Sequence, residues 1–179
     1  MIIPLRSHLD ILDEQLSIGG QVIAIVRDEK TGLLKGVYKT HNIVTDEGDK
    51  YYAQRGAVET PTNLFTMMEL GSAGTPGKAA TTSSFTLIGS TPKTVKSTYP
   101  KTNDTGDADN TGDAVDAVTW TFEWTAADFN NAAISHGWID VSGHGAGAAI
   151  LTGFAFAAPF AKAATDTLKV IVNHTMNGV

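Results

Sequence analysis

Residues 115–124, with the sequence VDAVTWTFEW, show the clearest structural pattern in this chain. Large apolar residues occupy every second position, namely Val118, Trp120, Phe122 and Trp124, and Thr or Glu stands between them. Successive side chains of a β-strand point to opposite faces of the sheet. The stretch therefore predicts a long, half-buried strand with an aromatic face.

Further strands are predicted on both sides of this stretch. Residues 21–28 and 33–44 are rich in β-branched side chains and flank a turn, which is typical of a β-hairpin. The remaining predicted strands cover residues 63–71, 133–142, 149–158 and 167–176, together with an exposed strand over residues 91–100. Residues 85–88 form a short apolar run with no clear period. A short helix is expected from residue 47 to about residue 55, with Thr45 or Asp46 as its cap.

This order of elements predicts the fold class. Strands joined by turns, with one or two short helices, favour an antiparallel sheet over a parallel one. We expect a mainly β chain, with an antiparallel β-sandwich or jelly-roll-like domain over residues 21–179. Residues 1–20 are expected to form an N-terminal arm, and the polar residues 101–114 an exposed acidic loop.

Composition excludes several classes of function. The 179 residues contain no cysteine, which excludes disulfide scaffolds, thiolate metal sites and cysteine nucleophiles. The net charge of −6 argues against a protein that binds nucleic acid through a basic face. The sequence also lacks an apolar run long enough to span a membrane. The 18 glycines and 23 threonines are typical of turns and strands.

The N-terminal arm carries a helical pattern. Four leucines recur at helical spacing, with acidic residues on the other side, and the pattern ends at Gly19 and Gly20. The leucines are Leu5, Leu9, Leu12 and Leu16. The arm is therefore a candidate partner-binding segment. It either packs on its own domain or docks on another subunit.

The acidic loop is a weak candidate for a calcium site. Its acids are Asp104, Asp107, Asp109 and Asp113, and part of the loop begins like an EF-hand. The resemblance to an EF-hand then ends, because Val118 occupies the position of the bidentate glutamate and no flanking helices are predicted. A solvated acidic loop is the favoured interpretation.

The three tryptophans allow two interpretations. Trp120, Trp124 and Trp138 could form a platform that stacks on sugar rings, as in a carbohydrate-binding adhesion module. The alternation around Trp120 and Trp124 is equally typical of a sandwich core, which is the favoured interpretation.

Catalytic patterns are not found in the sequence. The five histidines lack the spacing of a zinc site, and the chain contains no G-x-S-x-G motif. We therefore expect a protein that is not an enzyme and needs no cofactor. The histidines are His8, His41, His136, His144 and His174.

Three segments resemble the small virion proteins of tailed bacteriophages. They are residues 40–55, 64–87 and 131–178. Their short motifs are His41-Asn42-Ile43-Val44, Leu70-Gly71-Ser72-Ala73-Gly74-Thr75, Phe154-Ala155-Phe156 and Asp166-Thr167-Leu168-Lys169-Val170.

The resemblance implies a structural role in the virion. It implies a capsid decoration (cement) protein that stabilises the head by binding across capsid subunits, or else a tail, baseplate or adaptor protein. The implied partners are the major capsid protein or other virion proteins, and the implied state is a homo-oligomer such as a trimer. Neither nucleic acid nor a membrane is an expected partner. The implied location is the virion, which is assembled in the host cytoplasm.

Overall fold

The computed structural model describes residues 20–89, 91–102, 104, 106–111, 116–142 and 145–176. Within these residues, ten strands and one α-helix are present. The strands are β1 (Gly20–Asp28), β2 (Leu34–Val44), β3 (Phe65–Gly74), β4 (Phe85–Leu87), β5 (Lys93–Thr94), β6 (Lys101–Thr102), β7 (Ala117–Trp124), β8 (Asn131–Val141), β9 (Ile150–Lys162) and β10 (Asp166–Thr175). Helix α1 is Asp46–Gly56, and a single 3-10 turn covers Thr82–Ser84. No helix in the described part of the chain is long and apolar enough to cross a membrane.

The strands form one antiparallel sheet that folds over on itself. Its order is β4-β3-β8-β9-β2-β1-β10-β7-β6, and β5 also pairs with β3. The residues after β5 bring the two halves together, because Val95 donates its backbone N–H to Thr66 of β3 and Lys96 donates to Thr121 of β7. The predicted mainly β, antiparallel sandwich-like domain with a short helix is confirmed.

The core lies between the two halves of the folded sheet. Strand register aligns Trp120 of β7 with Val172 of β10 and Val22 of β1, and all three side chains are buried. Phe122 and Trp124 are also buried on the same face, so the predicted aromatic face of β7 is confirmed. Phe65, Leu70 and Phe154 contribute to the same core from the other half of the sheet.

The opposite face of β7 differs from the prediction. Thr119 and Thr121 are fully buried, although the alternation predicted that they would face solvent. This face, which we call the outer face, is covered over β1, β10 and β7, where Ile23, Ile25 and Ile171 form a second apolar cluster.

The segment from residue 91 to residue 100 was predicted as an exposed strand, and this is wrong. Only Lys93 and Thr94 form a strand, because the next two residues bond to two different strands. Thr98 then takes a left-handed backbone conformation with φ of 74°, which ends the extended chain.

Helix α1 begins as the sequence predicts. The Thr45 hydroxyl accepts a hydrogen bond of 3.0 Å from the backbone N–H of Gly48, and three acidic residues lie in the first turn. Gly48 itself lies against β9, where an added Cβ would come within 2.2 Å of the Leu151 carbonyl oxygen. The cap therefore fixes the helix at the end of β2, with Tyr51 inserted into the core.

Replacing the cap tests this arrangement. Thr45→Ala is expected to lower the free energy of unfolding by about 1–2 kcal/mol, because a buried helix N-terminus loses its hydrogen-bond acceptor. Thr45→Ser is the matched control and should keep most of the stability, since serine caps as well as threonine. Urea unfolding of both variants measures the difference; equal losses in the two variants would contradict the capping role.

Candidate functional site

The acidic loop lies on the outer face of the sheet rather than in solvent. Asp109 pairs with Arg27 of β1 at 2.6 Å and with Lys169 of β10 at 3.2 Å. Asp107 pairs with Lys169 at 2.5 Å. Asn173 of β10 donates a hydrogen bond of 2.8 Å to the side chain of Asn110. The described acids of the loop are less exposed than predicted, with Asp104 buried and Asp107 and Asp109 half-buried, because two cations on neighbouring strands hold this part of the loop against the sheet.

The same ion pairs determine whether these acidic side chains are available to bind a metal ion. Burial opposes the charge of Lys169, but the hydrogen bonds that its ammonium group donates to Asp107 and Asp109 raise its pKa above the ordinary lysine value. A lysine that stays charged between two carboxylates occupies the position a cation would need. Asp104 instead accepts a hydrogen bond of 2.6 Å from the Tyr99 hydroxyl.

The structure does not assemble the predicted calcium ligands. Asp104, Asp107 and Asp109 have the partners described above, and Asp113 lies outside the described residues. Across the described ranges, no group of three His, Asp or Glu side chains is placed to hold a metal ion. The ion pairs of Asp107 and Asp109 instead hold the loop on the outer face of β1 and β10.

The three tryptophans belong to the interior. Trp120, Trp124 and Trp138 are each 1% exposed. The Trp120 indole N–H donates to the Tyr52 hydroxyl at 3.0 Å, and that of Trp124 donates to the Thr91 carbonyl at 2.8 Å. Trp138 stacks on Phe85 with ring centroids 4.7 Å apart. The proposed sugar platform is wrong, because none of the three rings presents a face to solvent.

A pair of buried carboxyl groups was missed by the sequence analysis. Glu69 of β3 pairs with Trp138 of β8, and Met67 pairs with Asp140, so Glu69 and Asp140 are diagonal neighbours on one face. Their exposed fractions are 2% and 0%. Burial, together with the neighbouring Glu69 carboxyl, raises the pKa of Asp140 from 3.8 to about 8.

A second buried polar group joins helix α1 to the sheet. The Tyr52 hydroxyl lies 2.5 Å from Nδ1 of His174 and accepts the Trp120 indole N–H. Burial lowers the pKa of His174 to about 3, so the imidazole is neutral at physiological pH. Burial also raises the pKa of Tyr52 above its ordinary value. This chain of contacts ties β7, β10 and α1 together.

The two buried groups lie apart from three clefts found among the described residues. Two of these clefts, with volumes of about 320 and 360 Å³, flank the acidic loop, and Lys169 lines both. A third of about 310 Å³ lies beside Lys162. Glu69, Asp140 and His174 line none of these three clefts. The raised pKa of Asp140 and the lowered pKa of His174 therefore bear on stability.

The exposed apolar side chains form a different kind of candidate site. Leu33 and Leu34, at the turn between β1 and β2, are 67% and 54% exposed, and we call them the tip patch. Val58 and Leu64, in the loop that joins α1 to β3, are 93% and 56% exposed, and we call them the loop patch. β2 runs from the first patch towards the second, so the two patches lie at opposite ends of the domain.

The outer side of β2 lies between the two patches. Its exposed side chains are Val37, Lys39, His41 and Ile43, which we call the β2 face. Val37 and Ile43 are 45% and 41% exposed, whereas Ile25, which pairs with Val37, is 3% exposed. The residues that bury the outer face over β1 therefore do not extend over β2.

The four arm leucines, Leu5, Leu9, Leu12 and Leu16, lie outside the described residues. Arm docking therefore stays a prediction from the sequence pattern. The arm joins the domain at Gly20, which pairs with Asn42 of β2, so it enters beside the β2 face.

Comparison of the chain with protein-family models, curated sequences and solved structures finds no match. The interpretation of the site therefore depends on its own chemistry. That chemistry consists of buried titratable groups, acids paired with cations, and exposed aliphatic side chains at the tip patch, on the β2 face and at the loop patch.

Proposed function

We propose that this chain is a structural protein of a tailed-phage virion that decorates the capsid and stabilises it by binding across capsid subunits. The observation that carries the proposal is the pair of apolar patches at opposite ends of the domain. A protein that bridges two neighbouring subunits needs two separate contact surfaces. The strand β2, which runs from the tip patch towards the loop patch, is itself about 33 Å long, since a strand rises about 3.3 Å per residue.

Three further features support a role in assembly. The segments that resemble phage virion proteins include the end of β2 and the β9 residues that pair with it, where Asn42 pairs with Phe154. The net charge of −6 suits a surface away from packaged DNA. The amphipathic arm supplies a third contact element for a capsid subunit.

The number of copies per particle is the first test. Quantitative mass spectrometry of purified virions of the phage that encodes this chain should find it at on the order of hundreds of copies, in fixed ratio to the capsid protein. A few dozen copies or fewer would overturn decoration in favour of a tail, baseplate or adaptor role. Absence from the particle would overturn any virion role.

Deletion of residues 2–19 tests the arm. We expect the shortened protein to lose most of its occupancy on capsids, because the leucine stripe can no longer be buried in the lattice. Occupancy is measured by co-sedimentation with capsids that lack the chain. Leu33→Asp combined with Val58→Asp, on the full chain, is the parallel test of the two patches.

A folding control accompanies both variants. Both variants should still unfold cooperatively in urea, and the patch variant should keep a midpoint close to that of the unchanged protein, since Leu33 and Val58 are exposed. Unchanged occupancy after the arm deletion would show that the arm does not attach the protein. Unchanged occupancy after the patch substitutions would remove the observation on which decoration depends.

A further inference from the structure

We propose that, in the free protein, residues 5–16 of the arm pack as an amphipathic helix on the β2 face of the same chain. The inference rests on the proposed function, because it names the resting position of the arm that the capsid later binds. In the free protein, the leucine stripe is then buried against the β2 face. The arm has to leave this face before it can bind the capsid.

The first argument is the unpaired surface itself. Val37 and Ile43 are nearly half exposed, while Ile25 and Ile23 of β1, which pair with Val37 and Lys39, are 3% and 0% exposed. The acidic loop reaches Arg27 and Lys169 but leaves β2 open. An aliphatic strand face next to a covered one is suited to a further covering element.

The second argument is where the arm is attached. Gly20 pairs with Asn42, so the chain enters the sheet one residue away from Ile43. A helix over residues 5–16 would be about 18 Å long. The distance along β2 from Val37 to Ile43 is about 20 Å. The residues between helix and sheet, 17–19, can span the roughly 10 Å that separates packed layers.

The third argument is chemical fit. The four leucines fall within about 60° of one another on a helix, at about 100° per residue, and form a narrow stripe. Asp13 borders that stripe, and Lys39 stands between Val37 and Ile43 on the β2 face. The leucines can therefore pack on Val37 and Ile43, while Asp13 approaches Lys39 at the border of the stripe.

The short connection through residues 17–19 favours docking of the arm on its own chain over docking on a second copy. A short connector keeps the arm at a high effective concentration beside its own β2 face, in the millimolar range. A neighbouring copy reaches that concentration only when the protein is crowded. An exposed leucine stripe in the free protein would also promote aggregation.

Introduced cysteines test the contact directly, because the natural chain has none. With the connector at the Ile43 end, the helix runs back along β2, so Leu5 should lie near Val37 and Leu16 near Ile43. The variant Leu5→Cys/Val37→Cys is oxidised mildly, at low protein concentration. We expect an intrachain disulfide that forms on the order of tenfold faster than in the control pair.

The control pair is Leu5→Cys/Leu87→Cys. Leu87 is 46% exposed, matching the 45% of Val37, but it lies on β4, four strands away from β2 in the sheet. Each of the other three arm leucines, replaced by cysteine, is also combined with Val37→Cys and with Ile43→Cys. A displaced register then still gives one fast pair.

The outcomes separate this inference from the proposed function. Equal rates in all pairs and in the control would overturn docking on the β2 face. Disulfides that form only between chains would overturn docking within the chain in favour of arm exchange between copies. Capsid occupancy is measured separately with the disulfide locked and reduced, and we expect recovery of occupancy on reduction. Loss of the arm's role on capsids would leave the crosslinking result standing.

Discussion

Asp140→Asn is expected to raise the free energy of unfolding at pH 8 by about 2–5 kcal/mol and to leave it nearly unchanged at pH 4. The wild-type carboxyl is fully buried beside Glu69, and its pKa is raised from 3.8 to about 8. Asparagine has nearly the shape of the protonated acid but cannot ionise. The substitution therefore removes the cost of charging the site and keeps its packing.

The sign of the effect follows from proton binding. Between pH 4 and pH 8, the folded protein holds a proton on Asp140 that the unfolded chain has released. Stability from this group therefore falls as pH rises, by about 1.4 kcal/mol per pH unit, and levels off above pH 8. Below pH 4 both states are protonated, and the wild type and the variant become equal.

His174 acts in the opposite direction over part of this range. Its pKa is about 3 in the folded protein, against 6.5 ordinarily, so the unfolded chain binds the additional proton between these values. Stability from His174 therefore rises with pH up to about 6.5. The two slopes oppose each other from pH 4 to 6.5, where the lowered pKa of the partly buried His136 adds to the rise from His174. Only the fall due to Asp140, about 2 kcal/mol, is left from pH 6.5 to 8.

Urea unfolding at several pH values between 4 and 8.5 measures these slopes. The wild type should fall above pH 6.5, whereas Asp140→Asn should rise up to pH 6.5 and then be flat. Asp49→Asn is the control, since Asp49 is a partly exposed helix residue that pairs with Lys78, and its effect should stay within about 0.5 kcal/mol. Parallel curves for the wild type and Asp140→Asn would contradict a proton held on the buried pair.

The sequence predicted the strands well where one face is strongly apolar. The alternation of Trp120, Phe122 and Trp124 requires a core on one side, and the structure confirms it. The other side of β7 could not be predicted, because Thr119 bonds to Asn173, which also contacts Asn110 of a loop whose anchoring cation, Lys169, lies far along the chain. Polar character alone does not show where a loop will fold back.

The buried acids show a second limit. Glu69 and Asp140 each stand alone in a strand pattern, where a carboxylate normally indicates the solvent face. Only the pairing of β3 with β8 places them together. The exposed positions on β2 have the reverse problem, because Val37 and Ile43 have the composition of core residues. Burial of a strand face depends on which segments cover it, and that information is tertiary.

Trp120→Ala is expected to lower the free energy of unfolding by about 3–5 kcal/mol, a large part of the 5–15 kcal/mol of a typical domain. The side chain is 1% exposed and packs between the halves of the sheet. Its removal leaves a cavity and takes away the donor to Tyr52, which itself contacts His174. Urea unfolding measures the loss, and Val58→Ala, at a 93% exposed position, is the control within about 0.5 kcal/mol.

The same substitution separates a core role from a sugar-binding role. Trp120→Phe keeps most of the ring volume and loses the N–H donor, so we expect a smaller loss of about 1–2 kcal/mol. A sugar platform would give the opposite pattern, in which Trp120→Ala abolishes glycan binding at unchanged stability. Loss of stability without a glycan signal in either protein assigns Trp120 to the core, because a ring that supports the fold from inside cannot also stack on a ligand outside.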